Sequence, residues 1–335
     1  MTRRSFLAAA GLAGASPAAP VRRRTAMGTS PDSFPAHRMR AAHELLELCA
    51  EVGLGGCQAS LASLEPDYAR KLRRRKEELG LYLEVQTRLA GDDPAEFEQT
   101  VRMAREAGAT SLRAVCLAGR RYETFSSLEE WKAAVAEFRK RIARTVPIVE
   151  KHRMPLGLEN HKDWTLEEHL ALLKEYSSEY LGVCLDTGNN ISLLDDPMEV
   201  VEKLAPFTVN THVKDMAVEE YGDGFLLSEV PFGDGLLDLR RVFALIRQAR
   251  PNVNFSLEMI TRDPLKVPCL TEKYWATLPD RAGVYLARTL RLVRANRPSR
   301  PLPRVEGLDT EARKRYEREN VERCIEYARA HLGLA

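Results

Sequence analysis

From about residue 26 the chain alternates short apolar runs of strand length with longer stretches whose apolar residues recur at helical spacing. The runs are GGCQASL, LYLEVQTRL (81–89), SLRAVCL (111–117), PLGLENH (155–161), LGVCLDTGN (181–189), TVNTHVKDM (208–216) and NFSLEMI (254–260), with a weaker eighth near Ala26–Ser33. Between them lie RAAHELLELCAEVG (40–53), a basic stretch from about Asp67 to Leu79, AEFEQTVRMAREAG (95–108) and a long helix-period segment from Ser127 to Lys151. TLEEHLALLKEYSSE, PMEVVEKLAPF, DLRRVFALIRQAR and PDRAGVYLARTLRLVRAN (279–296) complete the series. Gly53 and Gly108 read as helix C-caps, and Thr165 with Glu168 as a capping box. Strands and helices in this alternation predict βα units and a parallel sheet, and eight units predict an α/β fold closed as a (β/α)8 TIM barrel. No GxxxxGK[ST] and no strand-to-helix GxGxxG occurs, so the phosphate loops of the open-sheet alternative are missing.

The barrel is assigned to residues 25–296, and residues 297–335 to a Pro/Arg-rich linker and a charged amphipathic helix packing on the barrel's outside. Residues 1–24 read as an address. Arg3 and Arg4 precede Ser5-Phe6-Leu7 and the small apolar run AAAGLAGASPAA, in the manner of a twin-arginine export signal. A periplasmic or secreted protein is the expectation. The apolar stretch is too short for a stable membrane span, which needs about 20 residues. The 335 residues are 44% hydrophobic, ample for a core, and 50 Lys and Arg against 48 Asp and Glu give a net charge of +2. That balance offers no electrostatic footprint for nucleic acid. Six scattered cysteines without a CxxC pair read mostly as small core hydrophobes.

The informative feature is what ends the last four strands. PLGLENH carries Glu159, LGVCLDTGN Asp186, TVNTHVKDM His212 and NFSLEMI Glu258. All strand C-termini of a parallel barrel open on one face, so these side chains converge. Three clustered carboxylates repel one another unless a cation lies among them. An oxygen-rich set with one nitrogen suits a single divalent ion, Mn²⁺ first, with Mg²⁺, Co²⁺ or Zn²⁺ as alternatives. Singly, each residue also fits a solvated loop position, a turn or a hydrogen-bonded core histidine.

GLENH, LDTGN, THVKD and SLEM, in this order, resemble the xylose-isomerase-like barrel superfamily of sugar phosphate isomerases and epimerases, over about residues 36–295. The VPFGDGLLDL stretch (230–239) resembles that superfamily's glycine-containing loop. The resemblance implies that Glu159, Asp186, His212 and Glu258 bind the metal and that Glu159 and Glu258 double as acid/base residues. Where many members carry a His three residues after the ligand Asp, this chain has Asn189, a poor metal ligand that can still bond a substrate hydroxyl. This departure, like the lack of basic excess, argues against the superfamily's endonuclease branch.

A divalent ion chelated by a carbonyl and a neighbouring hydroxyl stabilises an enediolate, and two carboxylates across the metal can remove and return a proton. The expected activity is therefore isomerisation or epimerisation of an unphosphorylated sugar or keto-sugar. A dehydratase or lyase acting on a 3-keto-sugar or keto-glycoside is the alternative, and a non-catalytic sugar-binding barrel the alternative of another class. His161, Asn189, Lys214, Gln86, Arg262 and Trp275 are candidate substrate contacts. Lys214 would neutralise an oxyanion or else pair with Asp215, and Tyr274 and Trp275 would lid the pocket or pack on the rim. Pairing of two copies through outer helices stays open.

Overall fold

The computed structural model describes residues 26–334, so the expected export leader lies outside the described residues. Its strands are β1 (Gly28–Thr29), β2 (Gly56–Ala59), β3 (Tyr82–Gln86), β4 (Leu112–Ala114), β5 (Leu156–Glu159), β6 (Leu181–Asp186), β7 (Thr208–His212), β8 (Asp215–Tyr221), β9 (Gly224–Val230), β10 (Ser256–Leu257) and β11 (Leu265–Val267). Its α-helices are α1 (Ala42–Val52), α2 (Pro66–Leu79), α3 (Ala95–Glu106), α4 (Arg121–Thr124), α5 (Leu128–Lys151), α6 (Leu166–Tyr176), α7 (Pro197–Leu204), α8 (Leu239–Ala249), α9 (Glu272–Trp275), α10 (Gly283–Ala295) and α11 (Thr310–His331).

Eight parallel strands run in the order β10-β1-β2-β3-β4-β5-β6-β7. A parallel bridge between Val213 and Leu257 joins the two ends, with Val213 N donating to Ser256 O at 2.9 Å and Glu258 N to Val213 O at 3.0 Å. The predicted TIM barrel is therefore present, and the weak eighth strand is its two-residue β1. The local signals act as read. Gly53 ends α1 in the left-handed region at φ 86°, and Thr165 and Glu168 form the capping box of α6. All six cysteines are free and buried.

Three features depart from a plain βα repeat. The segment between β7 and β10 forms the hairpin β8–β9, turning at Gly222 and Asp223, and β11 adds antiparallel to β9 as a third strand. The first long helix after β10 and β11, α10, which follows the single turn α9, buries little and leans on the hairpin through an Arg294–Glu220 ion pair of 2.8 Å. Against the barrel wall stands α11, flanked by α1 (Arg318–Glu51, 2.8 Å) and by α8, which it meets through Tyr327, Phe232 and Phe243. The C-terminal helix thus covers the flank between α8 and α1, where the wall would otherwise be open. No helix among the described residues is long and apolar enough to cross a membrane.

One aromatic side chain ties the closing seam. Tyr82 of β3 reaches across β2 and β1, where its hydroxyl accepts from Gly28 N at 3.1 Å, donates to Phe255 O at 3.0 Å and lies 2.9 Å from Ser256 Oγ. It passes because Gly28 and Gly56 lack side chains: a Cβ on Gly28 would lie 2.2 Å from the Tyr82 hydroxyl, and one on Gly56 2.4 Å from its ring. Gly56→Ala is therefore expected to lower stability by ~1–3 kcal/mol through overpacking. Denaturant unfolding checks it. A variant as stable as the wild type would mean that Tyr82 does not hold this seam.

Candidate metal centre

The four strand-end residues meet at one point. Glu159 closes β5, Asp186 closes β6 and His212 closes β7, with Asp186 and His212 register partners, while Glu258 follows β10 directly. One ligand atom from each lies within 4.8 Å of the other three, and all four side chains are buried. His212 Nδ1 is 3.0 Å from Glu258 Oε1 and 3.4 Å from Glu159 Oε2.

Neighbouring groups aim these donors. Asp186 Oδ1 accepts from Gly188 N (2.8 Å) and Asn189 N (2.7 Å), leaving Oδ2 for the centre. Asn160 fastens the Asp186 backbone from both sides, donating to its carbonyl and accepting from its N–H, each at 2.8 Å. His212 Nε2 bonds Gln58 Oε1 at 2.6 Å, and Gln58 Nε2 donates to Glu84 Oε2 at 3.0 Å. That amide makes Nε2 the protonated nitrogen and turns Nδ1 toward the centre, the outer-shell support a ligating imidazole needs. His212 Nδ1 and Asp186 Oδ2 are both buried and make no contact of hydrogen-bond geometry, although Nδ1 faces Glu258 and Glu159 and Oδ2 lies in ion-pair range of Lys214. Donors left in this way at the focus of three carboxylates fit a divalent cation. Cys184, one layer below Asp186 on β6, also lies within reach of Glu159 and His212, but burial drives its thiol well up and keeps it protonated.

The electrostatics follow from burial and pairing. Burial opposes charge on His212, yet Glu258 and Glu159 raise it to about 10. Burial would raise Glu159 and Glu258 as well. Arg113 and His212 hold Glu159 low instead, and His212 and Lys214 do the same for Glu258. Arg113, on β4, donates through Nε at 2.6 Å and also through its second nitrogen to Glu159 Oε2. Lys214 ion-pairs with Glu258 and lies 2.8 Å from Asp186 Oδ2 and 3.9 Å from Glu229 Oε1. Arg262 grips Glu229 of β9 with two nitrogens at 3.1 and 2.5 Å.

The candidate substrate contacts divide. Asn189 donates to Glu159 Oε1 at 3.1 Å and Lys214 is part of the cluster. His161, held neutral by burial and then by Lys162, has a pKa near 3 and a buried Nδ1 without a partner. Gln86 pairs in register with Arg113, and its amide nitrogen is also unpartnered. Trp275 donates its indole N–H to Cys269 O at 2.9 Å, and Tyr274 is fully buried with its hydroxyl on Ser192 O at 2.8 Å. Both aromatics serve the packing of the 261–280 segment here. Asp215 turns away from Lys214 and instead accepts from the backbone N–H groups of Met216, Gly233, Gly235 and Leu237, shaping the glycine-containing loop. Arg113, Gln58, Glu84, Lys162 and Glu229 were not among the residues singled out from the sequence. Arg113, Gln58 and Glu84 each stand as a polar residue inside an apolar strand run, which is the signal that marks them.

The fold and this cluster of donors agree with the family match: the chain belongs to the family described as Xylose isomerase-like TIM barrel, which matches residues 40–281. It is similar to the 3-oxo-isoapionate decarboxylase of Pectobacterium atrosepticum, 33% identical over 221 residues, or 64% of this chain and 76% of that protein. Among solved structures it resembles the 3-keto-D-glucoside 4-epimerase of E. coli (TM-score 0.54, 13% identity, 81% of this chain and 100% of that one). It also resembles a xylose isomerase-like TIM barrel protein of Mycobacterium smegmatis in complex with magnesium (TM-score 0.53, 15% identity, 80% and 97%). The two structural likenesses bear on fold alone.

Lys214→Met leaves Asp186, Glu258 and Glu229 without their shared cation. Removing one partner of a buried ion pair costs ~3–5 kcal/mol. Denaturant unfolding of the metal-stripped variant is expected to show a loss of that order. A change within ~1 kcal/mol would mean that the ammonium does not offset these carboxylates.

Proposed function

We propose that the chain is a divalent-metal-dependent enzyme that isomerises or epimerises a sugar or keto-sugar through an enediolate. The observation that carries this reading is the set of four buried donors within 4.8 Å of one another, two of which make no contact of hydrogen-bond geometry. Glu159, Asp186, His212 and Glu258 would hold one ion, Mn²⁺ by preference of an oxygen-rich set. Bound there, the ion supplies Lewis-acid stabilisation of the negative charge that develops on the substrate's oxygens.

The protein's own groups then do the rest. Glu159 and Glu258 come from β5 and from the end of β10, with β6 and β7 between them in the barrel order, so they face the centre from opposite sides. One, as the carboxylate, takes the proton from the carbon beside the carbonyl, and the other, entering the turnover protonated, returns its proton to the opposite face. Arg113 and Lys214 fix the two side chains in place and favour the ionised state of the one that acts as base. His161, neutral, and Asn189 are placed to bond substrate hydroxyls. Arg262, already committed to Glu229, would act on substrate through its open edge. Gln86 and Trp275 remain proposed contacts on the approach to the centre.

A second reading keeps the same enediolate but forms it by loss of CO2, or forms it by proton removal and lets it expel a β-substituent. The relative supporting it is the decarboxylase with 33% identity. Both readings are tested by incubating the Mn²⁺-loaded protein with a panel of ketoses, 3-keto-glycosides and oxo-sugar acids in deuterated water. Deuterium at the carbon beside the carbonyl is expected, with or without CO2 release, and Glu258→Gln is expected to lower the rate by ~10²–10⁴-fold. Exchange equal in wild type and variant would contradict the acid/base roles. Tight sugar binding with no exchange would move the non-catalytic barrel forward.

We also propose export on the Arg3–Arg4 leader to the periplasm or beyond, where unphosphorylated sugars are the available substrates. Fractionated cells should show the chain outside the cytoplasm, and Arg3→Lys/Arg4→Lys should trap it inside. Export unaffected by that change would contradict the twin-arginine reading.

A further inference from the structure

Lys162 is 3% exposed, and its ammonium has a single side-chain acceptor, Asn189 Oδ1. The other buried or half-buried cations of this region each hold a carboxylate: Arg113 holds Glu159, Lys214 holds Asp186 and Glu258, and Arg262 holds Glu229. Among the described residues no carboxylate lies within ion-pair distance of Lys162. An ammonium carries three donors, and burying one with two of them unmet and no counter-charge is costly. Burial, reinforced by Lys214 and Arg262, pushes it down to about 8.

Its position is at the candidate centre. Asn189 links the two, accepting from Lys162 with its oxygen and donating to Glu159 Oε1 with its nitrogen at 3.1 Å. The charges point the same way. Glu159, Asp186, Glu258 and Glu229 are matched one for one by Arg113, Lys214, Lys162 and Arg262. A divalent ion in the centre then leaves two positive charges uncompensated. Proton transfer from substrate to a site carboxylate leaves that total unchanged, so a fixed anion on the substrate is the partner that would offset it.

We propose that Lys162 is a specificity-determining residue that anchors a carboxylate of the substrate, so that the preferred substrate class is an oxo-sugar acid rather than a neutral keto-sugar. This deepens the function proposed above and rests on the metal-centre reading. Lys162 acts in binding and takes no part in proton transfer.

The test uses unreactive probes matched in hydroxyls and differing in charge: D-xylonate and xylitol, titrated calorimetrically into the full-length protein with Mn²⁺ present. Mn²⁺ alone is titrated first. Wild type is expected to bind xylonate at least ~tenfold more tightly than xylitol, the range of a charge-assisted hydrogen bond. Lys162→Met should erase that preference while leaving Mn²⁺ and xylitol affinities within about threefold, and Lys162→Arg should restore most of it. Equal xylonate affinity in wild type and Lys162→Met would overturn the assignment, since the metal alone would then take the carboxylate. A wild-type chain that binds no Mn²⁺ contradicts the metal centre instead. The xylonate preference and its loss in Lys162→Met are then read in the metal-free protein, where their absence overturns the anchor as well.

Discussion

The arrangement of the site turns on one constraint: three carboxylates and an imidazole are buried within a few ångströms of one another on four neighbouring strands. Such a group cannot persist through hydrogen bonding alone, because ionised carboxylates in a low-dielectric interior repel strongly. Arg113 on one side and Lys214 on the other provide part of the answer. Their charges favour the ionised forms of Glu159 and Glu258, which the proposed ligand and base roles require. What stays without a hydrogen bond is His212 Nδ1, while Asp186 Oδ2 has only the ion-pair contact with Lys214, and a cation is the fitting partner for both.

The fold serves this constraint from below and from the side. Register sets Asp186 and His212 side by side and Glu159 beside Cys184, two residues earlier on β6, and the Val213–Leu257 bridge brings Glu258 to them from the far edge of the sheet. Closure there depends on packing at the opposite end of the barrel, where Tyr82 crosses two glycines to reach β10. The β8–β9 hairpin adds Glu229, which sits between Lys214 and Arg262 and couples the cluster to the rim. Lys162, which no carboxylate among the described residues pairs, is the cation to which substrate selection is proposed to fall.

Much of this could be read in the chain itself. The four candidate donor positions are legible because strand runs are short and their ends are marked by polar residues in GLENH, LDTGN, THVKD and SLEM. Arg113 was harder: it stands in mid-run in LRAVCL, and only the β3–β4–β5 register shows that it faces Glu159. Gln58 and Glu84 likewise become partners of His212 through the pairing of β2 with β3. The hairpin had a usable signal in the Gly222–Asp223–Gly224 turn. Helical periodicity could not show that α11, and not α10, covers the flank between α8 and α1, since both segments are amphipathic and the choice depends on loop path. Trp275 illustrates the reverse limit, an aromatic near the rim whose N–H is taken by Cys269.

The most direct test of the account is calorimetric titration of Mn²⁺ into the metal-stripped chain at pH 7, repeated in buffers of different ionisation enthalpy. His212, raised to about 10 by its carboxylate neighbours, must lose its proton before Nδ1 can bind a metal. The account predicts about one Mn²⁺ per chain and about one proton released, with affinity weakening as pH falls and both signals lost in folded His212→Ala. No uptake by the wild type, or uptake unchanged by His212→Ala, would contradict it.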